Sequence, residues 1–282
     1  MCGVNRYEKI GYCGCGSEIR VARAALHYWE EPCISGKNGS GTVFFSGCNL
    51  RCRYCQNKCI SRDGIGKNIT VARLADIFRE LEAEGAHNIN LVTPTHFVPQ
   101  IIKALDDAKP KIPVVYNCGG FESVQTLKML SNYVNIYLTD IKYLDNETAV
   151  KYSCADGYFD CAAAALAEML AQKPKCGYEG EIMTNGVIVR HLVLPGHMNE
   201  SVRLVKRLKE MFGTKRYVLS LMSQYTPYEK DEKYPELNRK ITSLEYRRVV
   251  EAAQNEGFEN AFIQLKTSAE KEYTPPFDLT GV

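Results

Sequence analysis

Cys48, Cys52 and Cys55 stand in the segment VFFSGCNLRCRYCQN, residues 43–57, at the spacing C-x3-C-x2-C directly after a short apolar run. Three thiolates this close can face a single inorganic centre. A [4Fe–4S] cluster usually takes four cysteines, so three leave one iron open to another ligand. Two other arrangements compete on spacing alone. One is a tetrahedral zinc site, which wants a fourth ligand and would find it in Cys59, four residues on. The other is a set of buried structural cysteines.

The rest of the composition narrows the class. The chain has 282 residues, enough for one large core or a domain with a small appendage. Its 35 Lys and Arg against 33 Asp and Glu give a net charge of +2, which asks for neither nucleic acid nor an anionic membrane as partner. Twelve cysteines are many for a reducing compartment, where they read as metal or redox chemistry. Neither a charged leader with an apolar stretch nor an apolar run of 18 stands out, so a cytoplasmic protein is expected.

The elements that must position the cysteines follow from periodicity. Residues 17–31 read as a first helix, with Ser17 as cap, Ile19, Ala22, Leu26 and Trp29 on one face, and Pro32 as the stop. The glycine-rich 36–42 lacks the Gly-Lys-Ser/Thr ending of a phosphate loop. Strands are expected at 42–45, 88–92, 112–116, 134–139, 187–194, 216–221 and 261–265. Helices are expected at 69–84, 98–108, 123–130, 159–172, 202–211 and 244–255. Thr70 is the expected cap of the first of these helices, and Pro99 sits near the start of the next. This β/α repetition predicts a parallel sheet with helices outside. Its strands are nearly continuous apolar runs, as a sheet covered on both faces requires. The division expected is an amino-terminal extension with the first helix, residues 1–35, ahead of a barrel-like domain, 36–282.

The cysteine loop, with Tyr54 as the aromatic of C-x3-C-x-aromatic-C, resembles the signature of the radical S-adenosylmethionine (SAM) enzymes. That resemblance implies a partial (β/α)6, TIM-like barrel, with a [4Fe–4S] cluster and SAM as cofactors. It implies SAM chelating the open iron through its amino and carboxylate groups. A reduced cluster would then cleave SAM to methionine and a 5′-deoxyadenosyl radical, which abstracts hydrogen from a substrate.

In a β/α barrel the chemistry sits at the carboxyl ends of the strands. Thr93–His96, Asn117–Gly120, Asp140 with Lys142, Pro195–His197 and Ser223–Tyr225 fall there, with Arg190 and His191 inside the fifth strand. The SAM carboxylate would be matched by a planar guanidinium, for which Arg190 is the first candidate and Lys142 the second. Lys142 and Asp140 are two apart and share a strand face, so an ion pair between them is the plainer reading. Gly119 and Gly120 would let the main chain approach the adenine.

Within the superfamily the sequence is most similar to a branch related to the pyruvate formate-lyase activating enzymes. The phrases that carry this are CGVNR at 2–6, GYC at 11–13, residues 20–57, KYSCADGYF at 151–159, RHLVLPGH at 190–197 and LMSQYTP at 221–227. The resemblance implies Cys48, Cys52 and Cys55 as cluster ligands. It places Asn117 near the ribose, Asp140 and Lys142 as the family's Asp-x-Lys pair, and Arg190 on a SAM-holding strand. Thr93–His96 replaces a Gly-Gly-Glu stretch that meets the SAM amino group, leaving Thr93, Thr95 or His96 to substitute. The implied partners are an electron donor such as flavodoxin or ferredoxin and a glycyl radical protein or peptide substrate. The competing expectations are modification of another peptide or a small metabolite, and an iron–sulfur electron-transfer protein that catalyses nothing. Cys2, Cys13, Cys15 and Cys33 would form a second metal site if they converge.

Overall fold

The computed structural model describes residues 2–228, 230–259, 261–264 and 274–282. Its elements run β1 (Ile19–His27), α1 (Pro32–Ser35), β2 (Ser40–Phe45), α2 (Lys58–Ser61), β3 (Lys67–Ile69) and α3 (Val71–Ala83). Then follow β4 (Ile89–Val92), α4 (Val98–Ala108), β5 (Val114–Cys118), α5 (Val124–Leu130), β6 (Ile136–Asp140), α6 (Asn146–Ser153) and α7 (Tyr158–Gln172). The last are β7 (Gly177–Glu179), β8 (Ile182–Leu192), α8 (Met198–Phe212), β9 (Val218–Met222), α9 (Ser243–Asn255) and β10 (Phe262–Ile263).

The strand order is β10-β9-β8-β6-β5-β4-β2-β1-β3. Along this path every pair from β2 to β10 is parallel, and β7 adds to β8 antiparallel off it. This is an α/β fold with an open, partially barrel-like sheet flanked by helices, the partial TIM-like barrel that the resemblance implied. Leu265, with which the expected last strand ends, lies outside the described residues.

The expected first helix, 17–31, is a correction. Residues Ile19–His27 form β1, antiparallel to β2 from Val21↔Phe45 to His27↔Ser40 and to β3 through Ile19↔Ile69. Alanine and leucine favour helix only weakly, and the unpaired edge of β2 offers a ladder of hydrogen bonds instead. Thus most of residues 17–31 join the same sheet. Pro32 stops no helix; it opens α1, where its missing N–H costs nothing.

Each helix shields one stretch of sheet. Thr70 caps α3 by accepting from the Arg73 N–H, and Ser123 caps α5 through Thr126 N–H. Leu74 and Phe78 of α3 and Ile101 of α4 bury with Ile89 and Leu91 on the outer face of the sheet. The inner face is filled low down by Val115, Ile136, Leu138, Ile188 and Val218, closed by Ile34 of α1. Toward the carboxyl ends the same face turns polar at Asn117, Asp140, Arg190 and Ser220, with Asp140 opposite Arg190 and Arg190 opposite Ser220.

Candidate active site

The cysteine loop leaves β2 at the carboxyl end of the sheet and is strapped at nearly every step. Ser46 N–H donates to Arg20 O at 2.9 Å, Gly47 N–H to Ile60 O at 2.9 Å and Cys48 N–H to Cys13 O at 3.1 Å. Arg51 and Arg53 N–H donate to the Ser153 and Tyr152 carbonyls at 3.1 and 2.8 Å, orphan acceptors at the end of α6. Gly47 has φ +84°, and a Cβ there would stand 2.6 Å from both Cys13 O and Cys15 Sγ. Only glycine lets the amino-terminal lobe close onto the loop here.

The three sulfurs meet donors. Ser153 Oγ–H donates to Cys52 Sγ at 2.9 Å, Leu50 N–H reaches Cys48 Sγ at 3.4 Å, and Ser61 Oγ lies 3.4 Å from Cys55 Sγ. Burial pushes the Cys48 thiol up to about 12, and raises Cys52 against the pull of the Lys142 ammonium. Thiols this reluctant to ionise alone, yet facing hydrogen-bond donors, suit metal-bound thiolates, because coordination removes the proton outright. Among the described residues no three Cys, His, Asp or Glu side chains converge as ligands of one ion do, which leaves the zinc arrangement with Cys59 unformed. A four-iron cluster takes one thiolate per iron, so its ligands need not converge on one ion, and the donors on Cys48 and Cys52 are of the kind that cluster-bound thiolates accept from.

Behind the loop lies a buried ion network. Arg190 Nε donates to Asp140 Oδ1 at 2.9 Å, Nη1 to Glu30 Oε2 at 3.2 Å and Nη2 to Asn117 Oδ1 at 2.6 Å. Asn117 and Asn90 Nδ2 both donate to Glu30 Oε1 at 3.1 Å. Lys142 Nζ closes the set on Asp140 Oδ2. Burial raises Asp140, but Arg190 and Lys142 outweigh it and hold the carboxyl below its ordinary range. Burial raises Glu30 and Glu31, with Arg190 opposing it only in part. Thus the structure brings Asn117, Asp140, Lys142 and Arg190 together, and Arg190 meets protein acceptors along its whole fork.

Thr93 and His96 lie on the next strand end. Thr93 has φ +59°, a left-handed conformation costly for a β-branched residue, and its N–H donates to Asn117 O at 2.9 Å. It occupies a glycine-like position with a threonine. His96 Nε2–H donates to Ser46 O at 2.8 Å, tying this segment to the residue before Gly47. Burial lowers the His96 imidazole to about 4, so it is neutral, and its buried Nδ1 has no protein partner.

Thr95 Oγ1–H and Tyr116 O–H donate to Glu122, at 2.8 and 3.0 Å. Burial drives the Glu122 carboxyl up to about 7. A carboxyl whose folded value exceeds its unfolded one binds an extra proton on folding, so its contribution is full below pH 4.5 and is lost as pH rises through about 7. Between pH 5 and 8 the wild type should lose about 2.5 kcal/mol relative to Glu122→Gln. Urea unfolding across that range checks this, and parallel pH profiles of the two proteins would contradict it.

Sequence reasoning missed Glu30, Glu31, Glu122, Tyr143 and Ser153. Glu30 and Glu31 fell in the supposed helix, and Ser153 belongs to α6, which has weak amphipathicity. The expected second metal site does not assemble. Cys33 packs beside Ile34 at the barrel floor, away from the other three: Cys13 and Cys15 bury together outside the sheet, and the exposed Cys2 lies near Cys13, both sulfurs flanking Gly11. Gly120 serves the protein's own close approach: at φ +82° its Cβ would stand 2.0 Å from Asp140 O. A cavity of about 300 Å³ opens beside Cys55, walled by Arg53, Tyr54, Lys58, Tyr225 and Leu237, at the small end of ligand pockets.

Comparisons place this geometry. The family described as Radical SAM superfamily matches residues 42–208. A protein of Methanocaldococcus jannaschii, "Uncharacterized protein MJ0674", is 30% identical over 262 residues, covering 90% of this chain and 72% of the relative. Among solved structures, Streptococcus suis SuiB bound to precursor peptide SuiA matches at TM-score 0.51 and 15% identity, over 78% of this chain and 47% of that one. SuiB bound to S-adenosylmethionine matches at 0.50 and 14%, over 74% and 44%. The chain therefore spans about half the length of these solved structures, and the likeness is one of fold. No helix among the described residues is long and apolar enough to cross a membrane.

Proposed function

Since the chain belongs to the radical SAM superfamily, we propose that it is an enzyme that cleaves SAM reductively at a [4Fe–4S] cluster and abstracts hydrogen from a peptide or small-molecule substrate. One observation carries this: a pre-strapped loop presents Cys48, Cys52 and Cys55, with donors on their sulfurs, over a strand-end network of Asn117, Asp140, Lys142 and Arg190. When bound, the cluster supplies one-electron cleavage of the SAM sulfonium bond. The protein's part is to hold and orient. Lys142 places positive charge beside Cys52 and, with Arg190, is the cation for the SAM carboxylate. A carboxylate at Arg190 would exchange with Asp140 or Glu30, so the network supplies its own replacement partners. Asn117 is the polar contact for the ribose, and Thr93 and His96 are the segment facing the SAM amino group.

Support for a peptide substrate comes from SuiB, a protein of the same fold bound to a precursor peptide. A glycine in a partner protein is the second reading, favoured by the Asp140–Lys142 pair that the activating enzymes share. The electron would come from a flavodoxin- or ferredoxin-like carrier, for which Arg51, Arg53 and Arg62 around the loop offer a basic rim. The test is anaerobic reconstitution followed by titration with SAM. About four irons per chain are expected, and the paramagnetic spectrum of the reduced cluster should change when SAM binds. A stable cluster whose spectrum ignores SAM would leave the electron-transfer reading in its place.

A further inference from the structure

Behind Cys52 runs a chain of hydroxyls that ends on its sulfur. Tyr54 Oη lies 2.6 Å from Tyr143 Oη, Tyr143 Oη lies 2.6 Å from Ser153 Oγ, and Ser153 Oγ lies 2.9 Å from Cys52 Sγ. Tyr143 and Ser153 are fully buried, at 1% and 0% exposure, so water does not compete for their protons. The direction of every bond follows from counting hydrogens. A cluster-bound thiolate has no proton, so Ser153 donates to it. Having spent its single proton, Ser153 accepts from Tyr143. Tyr143 in turn accepts from Tyr54, whose ring packs edge-on against Tyr143 and Tyr225 and lines the cavity beside Cys55. Three hydroxyl dipoles thus align toward one sulfur, and aligned hydrogen bonds polarise one another.

Resting on the proposed cluster ligation, we propose that Ser153, backed by Tyr143 and Tyr54, is a tuning relay that sets the cluster's reduction potential through Cys52. Reduction places added negative charge on the ligand sulfurs, and a donor there strengthens with that charge. The relay therefore favours the reduced cluster. It also links the sulfur to the cavity wall, because Tyr54 is the outermost hydroxyl. Lys142 adds a fixed positive charge near the same sulfur, but it contributes no hydrogen bond to it, so the two effects separate by mutation.

The experiment is a redox titration of the reconstituted protein, read by the paramagnetic signal of the reduced cluster, in wild type, Ser153→Ala, Tyr143→Phe and Tyr54→Phe. At a fixed ambient potential Ser153→Ala should lower the reduced-to-oxidised ratio about tenfold, equivalent to ~59 mV for a one-electron couple. Tyr143→Phe should shift it the same way by less, and Tyr54→Phe by less again. Wild-type potentials in Ser153→Ala at wild-type iron content would overturn the relay. Should Ser153→Ala fail to hold iron, Tyr143→Phe decides, and an unshifted potential there overturns the relay equally. A wild-type protein that holds no reducible cluster would instead overturn the proposed function, and this inference with it.

Discussion

Arg190→Met should destabilise the protein by about 3–5 kcal/mol, the range for removing one partner of a buried charge pair. The guanidinium answers Asp140, Glu30 and Asn117 at once, and its side chain is only 15% exposed. Without it Glu30 and Asp140 are left in the barrel with Lys142 as the nearest cation, on Asp140 alone. The Glu30 carboxyl, already raised, would rise further, and Asp140, held below its ordinary range by Arg190 and Lys142, would lose the larger of those two pulls. Groups raised in this way bind protons on folding, so the variant should recover stability as pH falls from neutrality toward 5. Urea midpoints at two pH values measure this. A variant within 1 kcal/mol of wild type at neutral pH would show that the network is solvated and contributes little.

The second large effect concerns the loop itself. Replacing Cys48, Cys52 or Cys55 with alanine should reduce SAM cleavage to the protein-free background and strip most of the iron, while Cys59→Ala leaves both near wild type. The reason is geometric. The three named sulfurs sit on the strapped loop, with donors aimed at Cys48 and Cys52 and the Ser61 hydroxyl beside Cys55. Cys59 lies on α2, packed against the Phe44 and Ile60 cluster. Iron content and 5′-deoxyadenosine yield of the four variants check this. Loss of iron in Cys59→Ala as complete as in Cys52→Ala would mean a four-cysteine site and a closed cluster.

The β/α alternation was readable because the strands are nearly continuous apolar runs and a helix start shows in its cap, as at Thr70, whereas the barrel itself came from the resemblance of the cysteine loop. The sequence hid β1, since Ile19, Ala22 and Leu26 suit a helical face as well as a strand pairing with β2. That error carried Glu30 and Glu31 with it. Their burial depends on α1 folding under the barrel floor, a tertiary fact without local signature. The Asp140–Lys142 pair was legible from its spacing of two. Arg190's attachment to Glu30, 160 residues away in the chain, was not. Ser153 was hidden for the same reason: it meets Cys52 only because the end of α6 caps the cysteine loop from outside.

The central claim is that this site cleaves SAM. The most direct measurement is anaerobic: reconstitute the protein, reduce it with dithionite, add SAM, and quantify 5′-deoxyadenosine and methionine against the Cys52→Ala variant. The account predicts both products in equal amounts from the wild type and neither above background from the variant. A reducible four-iron cluster that binds SAM, yet yields no product with any peptide or small-molecule substrate supplied, would contradict it.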